Sequence, residues 1–158
     1  MKRVLHYMRG DVFFVRPHHT VFEVAKILAK NNISGAPVVE KGHIVGMISI
    51  SDITKFMSIR MAKSDILAHD PNSLSIMFLT IMKMGKDFAD FRKELDRMSR
   101  YQVKDMMTRN VVAIGPDAPL FEAAEMMEKY DVNRLPVVEG EKLIGIITRG
   151  DLLKALID

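Results

Sequence analysis

The chain repeats itself. Residues 4–58 align with residues 103–157 at a constant offset of 99 positions, without a gap, and 16 of the 55 pairs are identical. The identities include Val4/Val103, Met8/Met107, Pro17/Pro116, Phe22/Phe121, Glu23/Glu122, Gly46/Gly145, Ile48/Ile147 and Asp52/Asp151. The run Pro37-Val38-Val39-Glu40 recurs unchanged as Pro136-Val137-Val138-Glu139. Most mismatches exchange like for like. A register held over that length marks the duplication of one structural unit. Residues 59–102 have no counterpart, so the chain divides into a first repeat (4–58), a helical insertion or linker (59–102) and a second repeat (103–157).

Each copy carries the same local pattern. A short extended run, Val12–Val15 or Val111–Ile114, leads to a proline. A helix follows. In the first copy Thr20 and Glu23 make a capping-box pair, in which the Thr side chain accepts from a free backbone N–H and Glu reaches back to the cap. Val21, Val24, Ala25, Ile27 and Leu28 then form an apolar stripe, matched by Leu120, Ala123, Ala124, Met126 and Met127. Two strands joined by a few turn residues come next, Ala36–Val39 with His43–Ile48 and Leu135–Val138 with Lys142–Ile147. A second helix starts near Ser51 and Gly150. The predicted fold class is α+β, with two β-α-β-β-α repeats. A three-stranded sheet alone has little core, so the two copies are expected to pack with pseudo-two-fold symmetry and bury both apolar faces.

Composition excludes several classes. The 158 residues suit one domain or two small ones sharing a core, and 48% apolar with 27% charged residues is ordinary for a globular protein. There is no Cys, hence no disulfide, thiolate nucleophile or Cys-type zinc site. A net charge of +3 is too small to argue for nucleic acid, yet suits a small anionic ligand. Met1–Arg9 has charge but no apolar core of a signal peptide, and the longest apolar stretch, Ile76–Met82, is far below a membrane span. No membrane contact and a cytoplasmic location are expected. His18-His19 is a loop pair without a second ligand pair at helical spacing, so no metal is assigned. No Ser–His–Asp set, P-loop or paired-carboxylate arrangement stands out. No catalytic residue, no catalytic cofactor and no enzyme activity are expected.

The residues Ser34-Gly35-Ala36-Pro37-Val38-Val39 with Gly46-Met47-Ile48-Ser49-Ile50-Ser51-Asp52 carry a resemblance. So do Asn133-Arg134-Leu135-Pro136-Val137-Val138 with Gly145-Ile146-Ile147-Thr148-Arg149-Gly150-Asp151. Twice over, a Pro-Val-Val strand precedes Gly-x-Ile-[Ser/Thr]-x-x-Asp. The pattern resembles the CBS domain, here as a tandem pair, or Bateman module. The resemblance implies a regulatory rather than catalytic fold. It implies a cleft between the copies that holds adenosine-containing ligands such as AMP, ADP, ATP or S-adenosylmethionine. It also implies dimerisation, so a homodimer is expected.

Ser49, Ser51 and Asp52 in one copy, and Thr148, Arg149 and Asp151 in the other, sit where a strand becomes a helix. A helix N-terminus suits phosphate, a hydroxyl adds a donor, and an ionised Asp accepts from ribose hydroxyls. The competing reading is local: Ser51 caps the helix and Asp52 complements its dipole. Arg134 and Arg149 are the candidate phosphate pair, against a reading as solvated surface arginines. Gly35 and Ile50 replace them in the first copy, which predicts unequal sites, the second being the tighter for anions. Val15, Ala36 and Pro37, with Ile114, Leu135 and Pro136, are the candidate apolar lining for adenine, against plain core packing.

The insertion supports an alternative. From Ser73 to about Arg100 only Gly85 opposes a helix, and Met84, Phe88, Phe91, Leu95 and Met98 fall at a 4-3-4-3 spacing. Eight of the 13 Met lie between Met57 and Met107. Such a face packs on its own module or meets a second copy or an unidentified protein partner. The chain is then either a ligand-sensing module or a structural interaction module without ligand.

Overall fold

The computed structural model describes residues 1–61, 93, 96, 97 and 99–158. The predicted seam from Met84 to Met98 lies outside the described residues. In chain order the elements are a 3-10 turn (Val4–His6), α1 (Val21–Lys30), β1 (Gly35–Glu40), β2 (His43–Ser49) and α2 (Ile50–Met61). They continue with α3 (Val103–Met106), α4 (Leu120–Lys129), β3 (Arg134–Glu139), β4 (Lys142–Thr148) and α5 (Arg149–Ile157). The fold class is α+β, as the pattern predicts. No helix among the described residues is long and apolar enough to cross a membrane.

Two compact units emerge, and their boundaries cut across the sequence copies. One comprises Met1–Val15, Pro37–Met47 and Arg109–Asp158; the other comprises Arg16–Ala36 and Ile48–Thr108. Each unit therefore joins the lead-in of one copy to the helices of the other.

In the first unit the lead-in runs along the entrance of α4. Val4 N–H donates to Ala118 O at 3.0 Å, Leu5 N–H to Pro116 O at 2.9 Å, and Leu120 N–H to Lys2 O at 2.9 Å. The second unit repeats the arrangement with the roles of the copies exchanged. There Val103 N–H donates to His19 O at 2.8 Å, Lys104 N–H to Pro17 O at 3.0 Å, and Val21 N–H to Tyr101 O at 3.2 Å. Every donor and acceptor is displaced by 99 positions from its counterpart. The anchors match too: Val4 and Val103 are both fully buried.

The four strands form one sheet in the order β1-β2-β4-β3. Strands β3 and β4 pair antiparallel from Arg134↔Thr148 to Glu139↔Lys142, and β2 meets β4 at His43↔Lys142. The outer strands carry Pro37 and Pro136. An edge strand tolerates proline when its missing N–H faces away from the ladder. Here the outward carbonyls are used instead: Val15 N–H donates to Pro37 O and Ile114 N–H to Pro136 O, both at 3.0 Å. The predicted first strand of each copy thus shrinks to a single parallel bridge, Val15↔Val38 and Ile114↔Val137. The rest of Val12–Val15 and Val111–Ile114 forms no ladder, because only one residue per run lies beside the strand edge.

The helices end as alike as they pack. Asn32 and Asp131 both adopt φ of 51°, just past α1 and α4. The following N–H groups, of Ile33 and Val132, donate back to Leu28 O and Met127 O at 3.0 Å. This is the Schellman closure, with Asn and Asp in the left-handed position usually given to Gly. The buried side chains repeat as well. In the first unit Ile114, Ala123, Met127, Leu135, Val137 and Ile147 cluster with Val4. Their counterparts Val15, Val24, Leu28, Ala36, Val38 and Ile48 are also buried.

At α1 the predicted capping box forms. Glu23 N–H donates to Thr20 Oγ1 at 3.3 Å, and Thr20 N–H donates to Glu23 Oε2 at 2.7 Å. That backbone donor, with smaller help from the Thr20 hydroxyl and from His19 and His18, holds the Glu23 carboxyl below its ordinary value. A carboxylate with a depressed folded value stabilises the fold above its unfolded value, and that contribution is lost as pH falls through the folded one. The stability difference between the natural chain and Glu23→Gln should therefore shrink as pH is lowered from about 6 to about 3, read by thermal unfolding.

At position 145 a close approach of the lead-in demands glycine. Arg9 and Ile146 exchange both backbone hydrogen bonds at 2.9 Å, bringing the lead-in onto β4. A Cβ at Gly145 would stand 2.7 Å from Met8 Sδ and 3.0 Å from Arg9 O. The backbone oxygen cannot swing aside. Gly145→Ala should destabilise the fold by about 1–3 kcal/mol in denaturant titrations. Gly115→Ala, where a Cβ meets nothing within 4 Å, should be neutral or stabilising.

Candidate functional site

The two strand-to-helix turns are built alike. At the end of β4, Thr148 N–H and Oγ1–H donate to Asp151 Oδ2 at 3.0 and 2.7 Å, and Asp151 N–H donates to Thr148 Oγ1 at 3.3 Å. At the end of β2, Ser49 N–H and Oγ–H donate to Asp52 Oδ2 at 2.8 and 2.9 Å, with Asp52 N–H returning to Ser49 Oγ at 3.2 Å. Both are capping boxes with Asp in the third helical position. The local reading placed the cap on Ser51; the structure gives it to Ser49 and Thr148, because helices α2 and α5 begin one residue earlier than expected. Ser51 is exposed on the first turn of α2.

One carboxylate oxygen of each Asp is thus committed to its own helix. The other, Oδ1, faces a residue from the exchanged lead-in. In the first unit Arg9 Nε and Nη2 each donate to Asp151 Oδ1 at 3.4 Å, and Lys154 Nζ stands 3.7 Å away. In the second unit the Thr108 hydroxyl donates to Asp52 Oδ1 at 3.3 Å. Arg9 and Thr108 occupy the same position of the repeat. Asp151 is only 2% exposed, while Asp52 is half-buried.

Arg134 lies directly across the β3–β4 ladder from Thr148, so the two side chains share a face of the sheet. It is half-buried, and burial pulls its guanidinium below the ordinary value, although an arginine stays charged at any physiological pH. Arg149 goes elsewhere. Its Nε donates to Val132 O and its Nη2 to Met127 O, both at 3.4 Å, at the C-terminal turn of α4. A cation there complements the negative end of the helix. The two arginines are thus set in different local surroundings.

The six apolar candidates Val15, Ala36, Pro37, Ile114, Leu135 and Pro136 are all buried. Val15 and Ile114 are the bridging residues at the two strand edges, and Ile114 and Leu135 belong to the first unit's core cluster. His19 Nδ1 accepts from Arg16 N–H at 3.0 Å, and His18 stacks at a tilt beside it. Among the described residues no group of three or more His, Asp or Glu could hold a metal. Sequence reading missed Arg9. Its signal was the Arg9/Thr108 mismatch, a charge facing a hydroxyl across the repeat.

The model of the CBS domain matches residues 4–59 and 103–158. The chain belongs to the CBS-domain family. This CBS pair is 41% identical to protein MJ1426 of Methanocaldococcus jannaschii over 139 residues, covering 87% of this chain and 81% of that one. It is 30% identical to the chloroplastic CBS domain-containing protein CBSX1 of Arabidopsis thaliana, covering 93% of this chain and 60% of that one, less than two thirds of the relative's length. Its fold matches CBSX2 solved in complex with AMP, at a TM-score of 0.69 and 24% identity, covering 99% and 97% of the two chains. It also matches protein MJ1225 of Methanocaldococcus jannaschii, at a TM-score of 0.71 and 26% identity. There it covers 98% of this chain and 48% of the other.

Replacing the buried carboxylate by an amide separates capping from ion pairing, because Asn retains the acceptor oxygen. Both partner cations of Asp151 are more than half exposed and regain water when it is lost. Asp151→Asn should therefore cost only about 1–2 kcal/mol in chemical denaturation, and Asp52→Asn less.

Proposed function

We propose that this CBS pair is a ligand-sensing regulatory module, not an enzyme, that binds an adenosine-containing ligand and alters a partner's behaviour. The observation that carries the reading is the doubled turn. Twice, an Asp fixed by a Ser or Thr hydroxyl at a helix start turns its second oxygen to a group from the lead-in. An ionised carboxylate so held is a pre-oriented acceptor for ribose hydroxyls. Ser49, Ser51 and Asp52 are the candidate contacts in the second unit. Arg134, Thr148 and Asp151 are those in the first, while Arg149, the other arginine candidate, is turned to the end of α4. CBSX2 has been solved with AMP, and the CBS pair of MJ0100 with 5′-methylthioadenosine and S-adenosylmethionine. Ligands of that chemistry are the ones to try.

Of the two arginines, Arg134 is the better phosphate contact, since it faces the Thr148 side of the ladder while Arg149 serves the end of α4. Isothermal titration with AMP, ADP, ATP and S-adenosylmethionine tests the reading, and no heat from any of the four at millimolar concentration would defeat it. Where a nucleotide binds, Arg134→Ala should weaken it by about tenfold, the scale of one charge-assisted hydrogen bond. Arg149→Ala should leave affinity within about threefold and act mainly on helix stability.

A further inference from the structure

The two Asp clusters differ in the group that the lead-in brings to Oδ1, and Asp151 has Lys154 at 3.7 Å besides. Ser49 and Thr148 both offer a hydroxyl to the carboxylate, and Lys55 and Lys154 are identical across the repeat. Only the group brought in by the lead-in changes character. In the second unit it is a neutral hydroxyl, Thr108, on Asp52. In the first it is a guanidinium, Arg9, on Asp151.

We propose that Arg9 sets the charge selectivity of the Asp151 cluster, admitting phosphorylated nucleosides and disfavouring uncharged ones. The inference rests on the reading of Asp151 as a ribose acceptor. Arg9 and Lys154 are 59% and 64% exposed, whereas the carboxylate they pair with is 2% exposed, so the cations stand on its solvent side. A ribose that takes Asp151 Oδ1 must displace the Arg9 donors. With an uncharged nucleoside the guanidinium loses its anionic partner and gains none. With a nucleotide the phosphate supplies a new anion within reach, and the guanidinium fork suits phosphate oxygens. The carboxylate–guanidinium pair is then exchanged for a phosphate–guanidinium pair. At Asp52 the displaced group is a hydroxyl, which water satisfies equally well, so that cluster carries no such bias.

The test measures AMP and adenosine binding to the full chain by isothermal titration. An Asp52→Asn background is used so that the Asp151 cluster dominates. With Arg9 present, AMP should bind at least about tenfold more tightly than adenosine. Arg9→Thr, which installs the residue of the other copy, should reduce that preference by about fivefold or more, partly by strengthening adenosine. Arg9→Lys should retain most of it. Should Arg9→Thr fail to fold by circular dichroism, Arg9→Gln carries the same expectation. A preference that does not move between Arg9 and its uncharged variants overturns the inference while leaving the Asp151 site intact. Absence of binding by either ligand to every form overturns the underlying reading and the inference together.

Discussion

The exchange of lead-in segments is the constraint on which the rest depends. Residues 1–9 run along the entrance of α4 and onto β4, and residues 101–104 run along the entrance of α1. Each lead-in supplies a fully buried valine and several backbone hydrogen bonds to helices of the other copy. An extended segment is ordered only where its backbone polar groups find partners and its apolar side chain finds a pocket. Both are provided by the far copy, so neither copy completes its own unit. The glycine at 145 and the lead-in partner of each carboxylate follow from this.

The exchange also explains why the two clusters are not equivalent although the sequence nearly duplicates itself. Duplication fixes the capping boxes, because Ser49 or Thr148 with Asp52 or Asp151 is a purely local pattern. The group that meets the second carboxylate oxygen comes from a segment free to diverge. A single mismatch there, Arg9 against Thr108, puts a cation where the other copy has a neutral hydroxyl donor, and it meets Asp151, a carboxylate almost out of contact with water. In so sheltered a place, charge pairing matters more than it would on an open surface.

Much of this was legible from the residues. The constant 99-residue offset gave the repeated architecture. Thr20 with Glu23 announced the start of α1, the hairpins appear where the pattern placed them, and the apolar stripes do so except at Ala25 and Ala124, which are exposed. Local chemistry suffices for such features. What could not be read is what depends on partners distant along the chain. Asp151 and Arg9 are 142 positions apart, and no spacing rule connects them. The first strand of each copy was overdrawn for the same reason: Val12–Val15 has the composition of a strand, but only Val15 lies beside a partner edge. Arg134 and Arg149 looked like a pair because Arg134 immediately precedes Leu135-Pro136 and Arg149 lies inside the Thr-x-x-Asp motif. Which way a guanidinium turns is decided by the carbonyls at the end of α4, and the sequence does not display those as acceptors.

The reciprocal lead-ins bear on how such a chain could have arisen. A lone half would have a vacant groove beside its first helix and an orphaned arm with nowhere of its own to lie. Two identical halves could satisfy each other by trading arms, which is domain swapping between separate molecules. Fusion of two such genes would preserve the trade within one polypeptide. The crossed arms are what a swapped ancestor would leave behind, and they hold together two halves that have since been free to diverge.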